Sequence, residues 1–190
     1  MDDKLVRLSK QLSFYLRHGL EKYKIPHDTD GFVDLSFLLK FKKFKGVTVD
    51  MVKVVVNNNS KKRFDIKTED DVIYIRANQG HSSGKLNDNK MLEKINKPIE
   101  GCFHGTYQKN LESIKKNGLS RMKRKHIHIA ESRSAISGQR SDCNLYVLIN
   151  MKLAIKDGIK FYRSSNGVIL TPGNSDGYLP SKYLSFEKTI

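Results

Sequence analysis

The sequence predicts an α+β protein of two lobes, the first mainly helical with one hairpin and the second rich in strands. Three observations carry this. Leu5, Leu8, Leu12, Tyr15 and Leu16 recur at helical spacing, and so do Leu35, Leu38 and Leu39 and then Met51, Val52, Val55 and Val56. Beyond Pro98 the pattern changes to short alternating runs bounded by Gly, Asn and Ser. Between the two lies a polar stretch that reads as a linker. The predicted boundaries are 1–84 for the first lobe, 85–98 for the linker and 99–190 for the second.

Taken in order, the first lobe opens with a helix whose last turn holds Arg17 and His18, with Gly19 placed as a left-handed terminus. Asp28-Thr29-Asp30-Gly31 is a turn, and Phe32-Val33 forms one strand rung. Asp34 and Thr48 are positioned to cap the next two helices, on either side of a basic loop from Lys40 to Lys45. Asn57-Asn58-Asn59-Ser60 ends the third helix. Arg63–Lys67 and Val72–Arg76 then alternate as strands around Glu69-Asp70-Asp71. Helix, strand, helix, helix, hairpin is the order of a winged helix, a fold used mostly on nucleic acids.

Composition narrows the class. A chain of 190 residues can hold two small cores, and 38% hydrophobic with 29% charged residues suits a globular protein. Lys and Arg outnumber Asp and Glu by 35 to 20, a net charge of +15, which points to a polyanionic partner. RNA or DNA fits better than a membrane, because no basic helix with a broad apolar face stands out. Cys102 and Cys143 form no Cys-x-x-Cys pair, so neither zinc nor a disulfide is expected and the compartment is reducing. Met1–Lys4 lacks a signal-peptide core, and no run approaches the ~18 apolar residues of a span.

Gly80-His81-Ser82-Ser83-Gly84-Lys85-Leu86 resembles a phosphate-binding P-loop only superficially. It has three residues between its glycines instead of four, and Leu86 stands where a Ser or Thr would bind magnesium. It reads as part of the linker, which ends at Pro98.

In the second lobe, Gly101–Phe103 runs into His104-Gly105-Thr106, a strand end where glycine permits close approach of a ligand. Leu111 and Ile114 mark a short helix closed by Gly118, and a basic run Arg121–Lys125 precedes the alternating His126–Ala130. Leu145–Ile149 reads as a buried strand. Ile159–Arg163 and Val168–Thr171 flank Asn166-Gly167, a strong hairpin signal. His126 and His128 share a strand face, but a third ligand at suitable spacing is missing, so no metal is expected.

Together, Leu8-Ser9-Lys10, Leu12-Ser13, Leu16-Arg17-His18, Gly31-Phe32-Val33, Lys62-Arg63-Phe64, Gln79-Gly80-His81-Ser82, His104-Gly105-Thr106, Arg124–His128 and Asn166–Leu170 form an ordered set. The set resembles the NAD-dependent RNA 2′-phosphotransferases, from about Leu8 to Tyr183, and Ile136–Asp142 with Leu170–Asn174 is most similar to eukaryotic members. The resemblance implies a winged-helix lobe and an ADP-ribosyltransferase-like lobe with the active residues between them. It places a catalytic tetrad on Arg17, His18, Arg63 and Arg124. Arg121 and Lys123 lie close by, and Arg124 is chosen by its place two residues before His126. NAD-binding positions fall on His104, Gly105, Thr106, Ile129 and Ala130, with Arg140 added from Ser-Gly-Gln-Arg.

The implied reaction consumes NAD and needs no metal. The 2′-phosphate of a spliced tRNA displaces nicotinamide, and a ribose hydroxyl of the attached ADP-ribose then attacks phosphorus. The products are 2′-OH RNA and ADP-ribose 1″,2″-cyclic phosphate. A phosphate monoester carries nearly two negative charges at neutral pH, so the first step calls for guanidinium forks and no general base. The second moves protons, which suits His18. The expected protein is monomeric, cytoplasmic or nuclear, with RNA and NAD as its partners. Two other readings are ADP-ribosylation of nucleic-acid ends and a non-catalytic winged-helix RNA-binding protein.

Overall fold

Leu8 and Leu12 are buried at the centre of α1 (Asp3–Phe14), as the apolar stripe requires. In the computed structural model, which describes residues 3–82, 86, 92–140 and 142–189, this helix belongs to the first of two units, Met1–Met91 and Leu92–Ile190. It runs on into a π-helical stretch, Tyr15–Gly19, that carries Arg17 and His18. Such wide turns concentrate at functional sites.

Gly19 corrects the sequence reading. Its φ is not positive; the left-handed residue is Lys24, at φ 51°. A Cβ at 19 would lie 3.2 Å from Tyr23 and 3.5 Å from Tyr15, a tight fit against the first ring. Those two rings stack with centroids 5.0 Å apart.

The remaining elements of the first unit follow their caps. Asp28 Oδ1 accepts from the Asp30 and Phe32 N–H groups, fixing the turn before β1 (Val33–Asp34). Asp34 Oδ1 accepts from Ser36 N–H to start α2 (Leu35–Leu39), and Thr48 Oγ1 accepts from Met51 N–H to start α3 (Val49–Asn57). Strands β2 (Phe64–Glu69) and β3 (Val72–Ala77) pair antiparallel around Asp70 and Asp71, both left-handed, and β1 joins the far edge of β3. Aspartate is one of the few residues that tolerates this conformation. Leu16, Leu38, Val52, Phe64 and Ile75 share one core with Leu86, a residue the sequence places in the linker.

The second unit is a set of antiparallel sheets. Its first strand, β4 (Leu92–Ile95), corrects the linker boundary, since it pairs with β9 (Phe161–Ser164) from Leu92↔Ser164 to Ile95↔Phe161. Ser83–Lys85 of the P-loop-like stretch and residues 87–91 of the linker lie outside the described residues.

β5 (Phe103–Thr106) leads to α4 (Leu111–Asn117), which Gly118 ends at φ 83°. β6 (Leu119–Ser120) and β7 (Ile127–Ile129) follow. β8 (Leu145–Ile149) precedes α5 (Met151–Lys156). β10 (Ile169–Thr171) folds back on β9 through the expected Asn166-Gly167 hairpin, and β11 (Tyr178–Leu179) and β12 (Leu184–Lys188) complete the chain. The orders are β4-β9-β10-β7, β12-β8-β5 and β11-β6. A bridge between Phe103 and Ala130 joins the first two sheets at β5 and β7. This seam is what brings His104 and His128 together.

Candidate active site

In the first unit, Ser82 bonds to both predicted residues of the π-helical stretch. Its N–H donates to the Arg17 carbonyl at 2.9 Å, and its Oγ lies 2.8 Å from His18 Nδ1. The same segment holds the residues just before β2, among them Arg63. Asn78 N–H donates to the Arg63 carbonyl at 2.9 Å, and Asn78 Nδ2 donates to the Lys62 carbonyl at 2.9 Å. Residues 78–82 thus tie Lys62–Arg63 to Arg17–His18. A second tie runs through buried Asn59, whose Oδ1 accepts from Arg63 Nη1 at 3.1 Å while its Nδ2 donates to Ser9 Oγ at 3.4 Å.

Arg63 is half-buried, and burial lowers its pKa from the ordinary guanidinium value. Lys61 is also lowered, first by burial and then by the Arg63 charge. Two neighbouring cations in a partly desolvated setting make a strong anion site.

In the second unit, Arg124 is half-buried and its pKa is lowered by burial and then by the neighbouring Arg140. Arg124 Nη1 lies 3.4 Å from His128 Nδ1. His104 Nδ1 lies 2.7 Å from the His128 carbonyl, so Nδ1 carries the proton and donates it. Burial lowers the His104 pKa, the bond to the His128 carbonyl opposes this, and Arg140 and Arg124 add to the lowering. His104 is therefore neutral near pH 7, with its Nδ1 proton on the His128 carbonyl and a lone pair on Nε2. Arg121, close to Arg124 in sequence, packs against Gly177 and donates from Nη1 to the Arg124 carbonyl at 3.1 Å.

The carboxylates decide what these arginines can do. Arg76 pairs with Asp65, Arg133 with Glu187, and Arg163 holds Glu131 through two bonds of 2.8 Å. Among the described residues no carboxylate pairs with Arg63 or Arg124. A half-buried cation without a counter-ion is costly to keep unless a ligand supplies the charge. Glu131, just after the predicted cofactor strand, is already held by Arg163's fork.

Other predicted positions are placed differently. Ile129 and Ala130 are fully buried, and the Ala130 N–H and carbonyl both bond to Phe103. Thr106 is buried, with its Oγ1 accepting from Asn110 Nδ2 at 3.0 Å. Arg140 is exposed and lies over the Tyr107 ring, whose hydroxyl donates to Asp142 at 2.7 Å. His126 is buried with its ring edge-on to Tyr162. Among the described residues no three His, Cys, Asp or Glu side chains form a metal-ligand group.

Toward a dinucleotide, Arg140 would suit a phosphate oxygen and neutral His104 would accept a hydrogen bond. At Gly105 the missing Cβ makes room for the protein itself. A Cβ there would lie 2.9 Å from Cys143 Sγ and 3.7 Å from the Arg140 nitrogen, so the glycine admits Cys143 and the Arg140 backbone. Gly105→Ala is expected to cost about 1–3 kcal/mol of stability through this overpacking. Adding Cys143→Ala should restore most of it, as read from denaturant unfolding of both variants.

Sequence reasoning passed over Asn59, read only as part of a helix break, and gave Ser82, Tyr107 and Lys61 no role. No periodicity marks a buried amide that crosses between elements. Only Ser82 had a signal, its place in Gln79-Gly80-His81-Ser82.

His104 also sets a pH dependence. Its folded pKa lies below the unfolded value of about 6.5, so the unfolded state binds more protons as pH falls. Stability contributed by His104 is complete above that value and declines as pH drops through the folded pKa. The melting temperature should fall between pH 7.5 and 5, and fall less in His104→Gln.

Arg63 in the first unit and Arg124 in the second are half-buried and neutralised by no carboxylate among the described residues, and each guanidinium can bind a phosphate. The sequence comparisons agree: the family model described as RNA 2'-phosphotransferase, Tpt1 / KptA family, matches residues 3–173. The chain is 46% identical over 191 residues to tRNA 2'-phosphotransferase 1 of Danio rerio, covering 95% of this chain and 84% of that protein. It is 45% identical over 188 residues to tRNA 2'-phosphotransferase 1 of Homo sapiens, covering 95% and 74%. A probable RNA 2'-phosphotransferase of Flavobacterium johnsoniae is 37% identical over 185 residues, with 95% of each chain covered. The chain belongs to the Tpt1 / KptA RNA 2'-phosphotransferase family.

Proposed function

We propose that this protein is an enzyme that removes the 2′-phosphate of a spliced tRNA by transferring it to NAD. The products are 2′-OH RNA, nicotinamide and ADP-ribose 1″,2″-cyclic phosphate. The observation that carries the reading is the pair of half-buried arginines, Arg63 and Arg124, that no carboxylate neutralises among the described residues. Relatives named tRNA 2'-phosphotransferase support the RNA and the group transferred.

NAD supplies an electrophilic anomeric carbon with nicotinamide as its leaving group. The rest falls to the chain. Arg63, held by Asn59, orients the incoming phosphate through a planar fork without protonating it. Arg17 and Lys61 add positive charge, and Arg124 stabilises charge on the phosphoryl oxygens. Arg140 and neutral His104 hold the co-substrate. Because the phosphate is already a dianion, the first displacement needs no base. In the second, His18 takes the proton of the attacking hydroxyl and returns it to the departing 2′-oxygen as the new P–O bond forms and the old one breaks.

The winged-helix and ADP-ribosyltransferase-like assignments belong to the same proposal. They are supported by the element order of the first unit and the joined antiparallel sheets of the second. The test is an RNA with a radiolabelled internal 2′-phosphate, incubated with and without NAD. Label should leave the RNA only with NAD, in a nucleotide product. Release as inorganic phosphate would overturn the reading.

A further inference from the structure

We propose that Ser82 is a positioning residue that fixes the tautomer of His18, accepting a hydrogen bond from Nδ1–H and so assigning proton transfer to Nε2. The inference rests on the reading of His18 as the proton-transfer group. Its geometry is independent of that reading. Ser82 Oγ is 2.8 Å from His18 Nδ1, and Ser82 N–H is fixed on the Arg17 carbonyl at 2.9 Å. The serine is thus anchored by its backbone to the residue before the histidine it touches. Its hydroxyl has little freedom to leave the ring.

A serine hydroxyl can donate or accept, so the direction must be argued. His18 has to work in two protonation states. As imidazolium it carries protons on both nitrogens, and the bond to Ser82 survives only if the serine accepts. When Nε2 has given up its proton, Nδ1–H still donates to the same oxygen. One geometry therefore serves both states. The reverse arrangement, serine donating to a bare Nδ1, would break each time the ring gained a second proton. An unrestrained imidazole carries its single proton mostly on Nε2, the wrong nitrogen for a base acting there. Ser82 reverses that preference, as second-sphere partners of histidine do elsewhere.

Ser82→Ala removes the acceptor and keeps the backbone bond to Arg17, so the fold of the segment should persist. Ser82→Thr keeps the hydroxyl. The measurement is the 15N spectrum of the histidine rings in the intact protein at pH ~8, above the ordinary imidazole pKa of about 6.5. His18→Asn identifies the His18 signals by their loss. We expect the proton on Nδ1 in the native protein and in Ser82→Thr, and mostly on Nε2 in Ser82→Ala. The same tautomer in native protein and Ser82→Ala, or an Nε2–H ring in the native protein, would overturn the proposal.

A parallel assay with 2′-phosphorylated RNA and NAD should show 2′-phosphate loss slowed about 10- to 100-fold in Ser82→Ala, the worth of one charge-assisted bond. Nicotinamide release should be less affected, and Ser82→Thr should recover most of the rate. Native protein without turnover would refute the proposed function, and the ring spectra would still decide the role of Ser82.

Discussion

Arg63→Ala is expected to reduce both nicotinamide release and 2′-phosphate loss, each by at least about 100- to 1,000-fold, because the guanidinium orients the phosphate in every step. The argument is one of geometry and charge. Arg63 is half-buried, lacks a carboxylate partner among the described residues, and is aimed by buried Asn59. Removing it leaves Asn59 Oδ1 without its donor, at a stability cost of about 1–3 kcal/mol, too little by itself to unfold a typical domain. Arg63→Lys restores the charge but not the fork, so it should recover only part of the rate. Single-turnover assays with excess NAD measure both steps. Full activity in a folded Arg63→Ala protein would remove Arg63 from the site.

His18→Ala is expected to separate the steps. On the proposed mechanism Arg17 and Arg63 remain to hold the phosphate, whose attack involves no proton transfer. Nicotinamide release should continue, more slowly. Loss of the 2′-phosphate should fall by about 100- to 10,000-fold, the usual worth of general acid–base catalysis. RNA that has released nicotinamide but kept its phosphate should build up in the variant and be scarce in native enzyme. A denaturing gel of labelled RNA over time distinguishes the two. Equal suppression of nicotinamide release would make His18 an orienting group for the phosphate.

Much of the first unit was legible because its signals are local. Leu8 and Leu12 announce the helix, Asp34 and Thr48 its successors, and Asp70-Asp71 the hairpin. The Asn166-Gly167 hairpin was readable for the same reason. What escaped depends on residues distant in sequence. The π-helical stretch under Arg17 and His18 arises where Tyr15 and Tyr23 stack over Gly19. Leu92–Ile95 lacks the alternation of a strand and is one because β9 offers an edge. Gly105 reads in sequence as a ligand cradle, and only the fold shows that its missing Cβ makes room for Cys143. The tetrad positions came from resemblance. Their bonds to Asn59, Asn78 and Ser82 could come only from the fold.

The central claim is that arginines without a carboxylate partner serve a phosphate that leaves RNA on an NAD-derived acceptor. The most direct test counts both products in one reaction, nicotinamide by chromatography and 2′-phosphate remaining on the RNA by label. The account predicts one nicotinamide for each 2′-phosphate lost, neither appearing without both substrates. Phosphate lost without NAD, or nicotinamide released at the same rate whether or not the RNA carries a 2′-phosphate, would contradict it.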